Sequence, residues 1–148
     1  MSGKFVLDTY ALVEYTLGTK MGQVVKEALD NGKCITPSVV IAELANKYCR
    51  DDRLQDWEPM LKFLKAKTQV LVLDATLASK SGIQKVALRK RVKNISLVDA
   101  IAYQAAIDHE ATLVSGDEHF EAFPDVIYLK RVDDARTRVQ QIVAGARS

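Results

Sequence analysis

The chain has 148 residues, of which 48% are hydrophobic and 27% charged, with a formal net charge of +2 at pH 7. This length suits one domain, and the composition is that of a globular protein rather than a disordered or fibrous one. No apolar run approaches the roughly 20 residues that a membrane helix needs, and the first residues lack the pattern of a secretory leader. We therefore expect one domain over residues 1–148, in the cytoplasm and not bound to a membrane.

In the first half of the chain, short apolar runs that predict buried strands alternate with segments of helical periodicity. In chain order, the predicted elements are a strand over Lys4–Asp8, a helix over Thr9–Leu17, a helix around Met21–Leu29, a strand over Cys34–Thr36 and a helix from Thr36 to about Cys49. Gly18 and the pair Asn31-Gly32 are expected to stop the first two helices. Thr36 is the expected cap of the third helix, with Pro37 in its first helical position.

The second half continues the alternation of strands and helices. The predicted elements are a helical stretch over Asp52–Lys67, a strand over Val70–Leu73, a helix over Ala75–Arg91, a helix from Leu97 to about His109, strands over Thr112–Val114 and Val126–Leu129, and a C-terminal helix over about residues 133–147. Pro59 predicts a kink or a restart, Gly82 weakens the middle of its helix, and Ser96 is a helix cap. The last helix carries one apolar stripe, so we expect it to dock on the domain or on a partner.

This order of elements predicts an α/β fold, with a parallel sheet covered by helices on both faces. Ligands of such sheets bind outside the carboxyl ends of the strands. Four acidic residues lie within or just past apolar segments, where a charge is costly unless it is paired or bound to a metal. They are Asp8, Glu43, Asp99 and Asp117. Two of them, Asp8 and Asp117, lie at the carboxyl ends of predicted strands, so we expect the four to meet at the edge of the cleft.

Each acid also has a purely structural explanation. Asp8 could cap the helix that follows it, and Asp117 could begin a turn. Glu43 could pair with a lysine four residues later, and Asp99 fits a capping box with the serine three residues before it. The sequence alone leaves these explanations open for any single residue, but convergence of all four on one sheet edge favours a shared function.

The residues around these acids resemble the PIN domains, in particular the VapC-type toxins of toxin–antitoxin pairs. The resemblance runs through the stretches VLDTYAL, ITPSVVIAELANKY, ISLVDAIAYQAA and TLVSGDEHF. The family's acids match Asp8, Glu43, Asp99 and Asp117, and Ser115 and Phe120 complete its last motif, Ser/Thr-x-Asp-x-x-Phe. The resemblance implies a three-layer α/β/α fold with a five-stranded parallel sheet, in which the first and fourth strands are neighbours.

The resemblance also implies a function. Clustered oxygen ligands favour hard cations, so we expect one or two Mg²⁺ or Mn²⁺ ions at the four acids, with Ser115 orienting a carboxylate or a water. The implied activity is that of an endoribonuclease that hydrolyses RNA phosphodiester bonds. The implied partners are RNA, a VapB-type antitoxin that holds the enzyme inactive, and a second copy in a homodimer. We do not expect His109, at a helix end, or His119, in a loop, to act as catalytic acid or base.

Six basic residues between positions 80 and 93 are uninterrupted by any acidic residue. They are Lys80, Lys85, Arg89, Lys90, Arg91 and Lys93. We predict that the last five bind the phosphates of RNA, the alternative being a solvated helix face. Two other functions stay open at this point: a housekeeping RNA-processing nuclease without an antitoxin, and a non-catalytic nucleic-acid-binding or scaffold module.

Overall fold

The structure, a computed structural model, describes residues 3–147. Within that range five strands form one sheet, and every neighbouring pair is parallel. The strands are β1 (Lys4–Leu7), β2 (Lys33–Pro37), β3 (Gln69–Leu71), β4 (Thr112–Ser115) and β5 (Ile127–Tyr128). Their order is β3-β2-β1-β4-β5. The predicted five-stranded parallel sheet and the pairing of its first and fourth strands are confirmed.

Helices cover both faces of this sheet. In residues 3–147 they are α1 (Thr9–Leu17), α2 (Lys20–Asn31), α3 (Ser38–Arg50), α4 (Trp57–Lys67), α5 (Ala75–Arg89), α6 (Leu97–Asp108) and α7 (Val132–Arg147). Because strand side chains alternate between faces, β1 serves two cores. Phe5 and Leu7 pack with residues of α1, α2, α3, α4 and α7, whereas Val6 packs on the other face with residues of α5 and α6. The predicted three-layer α/β/α arrangement is confirmed.

The C-terminal helix α7 packs against α2 and β5 of its own chain. Val139 and Val143 of its apolar stripe are buried there. Arg136 lies 3.5 Å from the carboxylate of Glu27 on α2, and Gln140 donates a hydrogen bond to the same side chain. In the structure α7 therefore docks on its own domain, which is one of the two predicted possibilities.

The start of α3 differs from the prediction. Pro37 is the last residue of β2, aligned with Leu71 of β3, and it is also the residue that precedes the first helical position, Ser38. The Thr36 side chain does not cap the helix, because it is buried and hydrogen-bonded to the Thr68 hydroxyl over 2.8 Å. Strand β2 thus ends at Pro37, one residue later than the predicted helix cap at Thr36 indicates.

The helical segment before β3 restarts as predicted, two residues before Pro59. A 3-10 turn occupies Leu54–Asp56, and α4 begins at Trp57, so that Pro59 lies in the first turn of the helix. A proline causes no break there, because the first N–H groups of a helix have no partner within the helix. Gly82 lies inside α5 without interrupting it. Among the described helices, none is both long and apolar enough to cross a membrane.

Candidate functional site

Asp8 follows the last residue of β1 and caps α1. Its backbone is extended, and its Oδ1 accepts a hydrogen bond from the Ala11 N–H over 2.9 Å. The side chain is buried. Burial raises the pKa of Asp8 from 3.8 to about 7, although hydrogen bonds from Ser115 and Ala11 act in the opposite direction. The negative charges of Asp99 and Asp117 raise this pKa further. Asp8 therefore caps α1 and also lies close to the other acids.

Ser115 and Asp117 occupy the corresponding place at the end of β4. The fully buried Ser115 hydroxyl accepts a hydrogen bond from the Asp117 N–H over 3.0 Å and hydrogen-bonds to the Asp8 carboxyl. Because Leu7 and Val114 are aligned in neighbouring strands, the chain leaves the sheet at adjacent points. Ser115 therefore connects the two acids that follow β1 and β4.

Asp99 reaches the same place from the first turn of α6. It forms the predicted capping box with Ser96: the Asp99 N–H donates to the Ser96 hydroxyl over 3.0 Å, and the Ser96 N–H donates to Asp99 Oδ2 over 3.1 Å. This reciprocal pair fixes the carboxylate at the start of the helix. Capping and participation in the site are compatible, because one residue does both.

Glu43 approaches from α3 and is exposed. Its carboxylate accepts a hydrogen bond from the hydroxyl of Thr9, the residue after Asp8. The alternative in which Glu43 pairs with Lys47, four residues later, is wrong, because the Lys47 ammonium lies 3.1 Å from Asp51 Oδ2 instead. Thr9 thus holds Glu43 at the margin of the site.

One cleft of about 510 Å³ is lined by all four predicted acids. His119 lies in this cleft too, and the prediction that placed it in a loop is corrected: it belongs to a 3-10 turn, Glu118–Phe120. Its Nδ1 lies 2.8 Å from Asp99 Oδ2 and 3.3 Å from Asp117 Oδ1. The hydrogen bond to Asp99 raises the pKa of His119, partial burial lowers it, and the nearby carboxylate charges raise it further.

The donor atoms of this cleft suit a divalent cation. Ligand atoms of Asp99, Asp117 and His119 all lie within 4.8 Å of one another. Asp8 lies beside this grouping and Glu43 at its margin, both lining the same cleft. Carboxylate oxygens are the ligands that Mg²⁺ and Mn²⁺ take in proteins, and an ion would offset the mutual repulsion of the acids. The residues present therefore fit such an ion.

The sequence profile of the PIN domain family matches residues 5–126. The chain belongs to the PIN domain family. Curated proteins give no significant match.

Solved structures share the fold of this PIN domain. VapBC2 from Rickettsia felis, bound to a DNA fragment from its promoter, matches with a TM-score of 0.65 and 18% identity over 83% of this chain and 95% of that chain. DNA-bound VapBC from Salmonella typhimurium matches with a TM-score of 0.65 and 17% identity over 83% and 94%. A toxin–antitoxin complex from Klebsiella pneumoniae matches with a TM-score of 0.61 and 20% identity over 84% and 96%. At these identities the similarity concerns the fold.

The basic residues of the PIN domain differ in their surroundings. Lys80 lies 3.3 Å from Asp108, at the end of α6 remote from Asp99. Arg91 stacks on Phe123, with its Cζ 3.7 Å from the ring centroid, and hydrogen-bonds to Tyr103. The remaining four are partly or fully exposed on α5 and on the connection that precedes α6: Lys85, Arg89, Lys90 and Lys93. Binding of RNA by any of these residues remains a prediction.

Two features of the cleft were missed or underestimated by the sequence analysis. His119 stands two residues after Asp117, and this spacing could have drawn attention to it, because a tight turn places both side chains on one side. Lys130 stands in the sequence without a motif, yet its Nζ lies 3.2 Å from Glu118 Oε1 and 5.7 Å from the ring centroid of Tyr10. Tyr10 lines the cleft, so Lys130 contributes a positive charge near its rim.

Proposed function

We propose that this PIN domain is a metal-dependent endoribonuclease that hydrolyses RNA phosphodiester bonds. The observation that carries the proposal is the convergence of Asp8, Asp99 and Asp117, with Glu43 nearby, in one cleft beyond the carboxyl ends of β1 and β4. Acidic side chains this close repel one another, and a bound cation is the simplest compensation. Membership of the PIN family supports the same conclusion.

In this proposal the residues have different roles according to where they lie in the cleft. Asp8, Asp99 and Asp117 would hold one or two Mg²⁺ or Mn²⁺ ions, and Glu43 would ligate or orient the attacking water. A bound ion supplies a water that ionises near neutral pH and a charge that stabilises the oxygens of an in-line displacement. Ser115 positions two of the ligands through its hydrogen bonds to Asp8 and Asp117.

The substrate would be bound through its phosphates. Lys85, Arg89, Lys90, Arg91 and Lys93 lie on α5 and on the connection that leads into α6, the helix that carries Asp99. We propose that they follow the RNA backbone toward the cleft, with affinity that falls as salt is raised. Arg91 would contribute mainly by fixing this connection against Phe123.

We further propose that the chain is a VapC-type toxin that forms a homodimer and is inhibited by a VapB-type antitoxin. The support is the shared fold with structures described as VapBC or toxin–antitoxin complexes. Two exposed apolar side chains on α5 also support a protein partner, because a partner could cover them. Ile83 and Val86 lie about one turn apart and are 73% and 64% exposed. In this proposal the chain acts in the cytoplasm, where its RNA substrates are.

The test of the nuclease uses the purified chain and a labelled mixture of structured and unstructured RNAs. Cleavage should require Mg²⁺ or Mn²⁺, stop with EDTA and resume when the ion is returned in excess. Asp117→Asn should be inactive while remaining folded. Cleavage that persists in EDTA would contradict the metal mechanism, and RNA binding without cleavage in every metal would indicate the scaffold alternative.

The toxin proposal has a separate test in cells. Induced expression of the wild-type chain should arrest growth, and expression of Asp8→Asn should not. Co-expression of a protein encoded beside this gene should restore growth and copurify with the chain. Normal growth with active nuclease present would favour a housekeeping enzyme instead.

A further inference from the structure

His119 is the one nitrogen donor in the grouping of ligand atoms that the structure places in the cleft within residues 3–147. Its backbone is held in place because its N–H donates to Asp117 Oδ1 over 2.9 Å. The next residue, Phe120, is fully buried, so the turn is anchored on both sides of the imidazole. The ring itself is about one-third exposed and presents Nδ1 to two carboxylates on different elements, the first turn of α6 and the turn after β4.

The distances around Nδ1 are those of atoms that can share an ion. Two ligands held at right angles by one cation, each roughly 2.1 Å from it, are roughly 3 Å apart. Nδ1 lies 2.8 Å from Asp99 Oδ2 and 3.3 Å from Asp117 Oδ1, on either side of that value. If Nδ1 carried a proton, it could direct one good hydrogen bond, to one of the two carboxylates. If Nδ1 is unprotonated, its lone pair can bind a cation that both carboxylates also hold.

We propose that Nδ1 of His119 is a direct ligand of the divalent ion held by Asp99 and Asp117. This inference rests on the proposed metal site and adds a nitrogen donor to its carboxylate oxygens. Mg²⁺ takes oxygen ligands almost exclusively, whereas transition-metal ions also bind imidazole. The site should therefore prefer Mn²⁺ over Mg²⁺ more strongly than a site made of carboxylates alone.

The test is spectroscopic and needs no catalysis. The chain is loaded with Mn²⁺, and the electron spin-echo modulation from nitrogen is recorded with natural-abundance and with ¹⁵N-labelled histidine. A coordinated imidazole gives a modulation that changes with the isotope. It should disappear in His119→Gln and persist in His109→Gln, a matched control because His109 is the other histidine of the chain and lies at the far end of α6.

Affinities provide the second measurement. His119→Gln should weaken Mn²⁺ binding by about tenfold or more and Mg²⁺ binding by clearly less, since even indirect partners of metal ligands are worth about 10–100-fold. His119→Asn serves as a second variant, and circular dichroism verifies that both fold. An equal loss for the two metals would contradict the proposal.

The outcomes separate this inference from the function on which it rests. If Mn²⁺ binds in a manner that requires Asp99 and Asp117 but gives no histidine modulation, His119 only donates a hydrogen bond to the carboxylates, and the inference fails while the nuclease proposal stands. If the wild-type chain binds no Mn²⁺ at all, both fail.

Discussion

Arg91 stacks on Phe123, with 3.7 Å between the guanidinium carbon and the ring centroid. The same arginine hydrogen-bonds to Tyr103, whose hydroxyl donates to Asp125. The connection between α5 and α6 is thereby attached to the segment between β4 and β5. Arg91 thus contributes packing as well as charge, so its replacement should affect stability in a way that replacement of its basic neighbours does not.

Replacing Arg89, Lys90 and Lys93 by alanine should weaken RNA binding without weakening the fold. For every side chain that binds a phosphate, its removal should reduce the slope of log affinity against log salt by about 0.7–0.9. The measurement is a salt titration of RNA binding by the inactive Asp117→Asn background. A triple substitution of the exposed Lys62, Lys65 and Lys67 on α4 removes the same charge elsewhere and should have a smaller effect. Equal effects of the two triple variants would mean that only net charge matters.

Arg91→Ala should behave differently from that set. Removing a stacked guanidinium and its hydrogen bond should lower the free energy of unfolding by about 1–2 kcal/mol. Urea denaturation compares this variant with Lys90→Ala, which removes an exposed neighbouring charge and should change stability by less than about 0.5 kcal/mol. If both variants are as stable as the wild type, the stacking contributes nothing measurable.

The metal-free protein should become less stable as the pH rises from about 4 to 7. Burial raises the pKa of Asp8 to about 7, so in this range the native state keeps a proton that the unfolded state has already lost. The free energy of unfolding therefore falls with pH, by at most about 4 kcal/mol for this shift. Asp8→Asn should lack this component, and the difference between the two pH curves in EDTA isolates it from the contribution of His119.

Asp74 offers the control for that substitution. Its Oδ1 caps α5 by accepting the Leu77 N–H over 2.8 Å, as Asp8 caps α1, but its side chain is exposed. Asp74→Asn should therefore leave the pH curve unchanged. An Asp8→Asn curve that stays parallel to that of the wild type would show that Asp8 is ionised without cost.

Mn²⁺ should stabilise the wild-type chain and should not stabilise Asp99→Asn or Asp117→Asn. Binding to the native state alone raises stability by about 2.7 kcal/mol at a metal concentration 100 times Kd. Without metal, each variant should be within about 1 kcal/mol of the wild type, because the weaker attraction to His119 is balanced by reduced repulsion between the acids. Thermal unfolding with and without Mn²⁺ measures both. Asp108→Asn, on the same helix as Asp99 but outside the cleft, should keep the full metal response.

Gly116 should resist substitution because of Tyr10. A Cβ at position 116 would lie 2.3 Å from Cε1 of the Tyr10 ring, so Gly116→Ala should cost about 1–3 kcal/mol. In a Tyr10→Ala background the same substitution should cost much less. Gly82→Ala is the opposite case: nothing lies within 4 Å of its Cβ position inside α5, and alanine should stabilise the helix by about 0.5–1 kcal/mol. Chemical denaturation of the four variants tests the coupling.

The order of the elements, and the positions of the four acids relative to them, could be predicted because both depend on local patterns. An apolar run followed at once by Asp8 identifies a strand end, and Ser96 identifies the start of α6 whatever the rest of the chain does. Helix caps and strand periodicity act over a few residues, and the structure agrees with them to within one or two residues at most boundaries.

The remaining features depend on partners that are distant in sequence. Thr36 is a residue type that often caps helices, but its hydroxyl is hydrogen-bonded to that of Thr68 instead. Pairing with β3 also extends the β2 strand to Pro37. The orientation of His119 depends on Asp99, twenty residues earlier, and the stacking of Arg91 depends on Phe123. Such contacts exist only once the sheet has brought the elements together, so periodicity and capping rules carry no signal for them.

The alignment of Leu7 with Val114 has a consequence for how the protein is made. Translation adds Asp8 long before Asp99 and Asp117, and long-range strand pairing forms slowly compared with local helices. Until β4 has been synthesised and has paired with β1, the nascent polypeptide therefore has no assembled acidic cleft. The proposed nuclease site therefore gains its last acid, Asp117, only after about four fifths of the 148 residues have been translated.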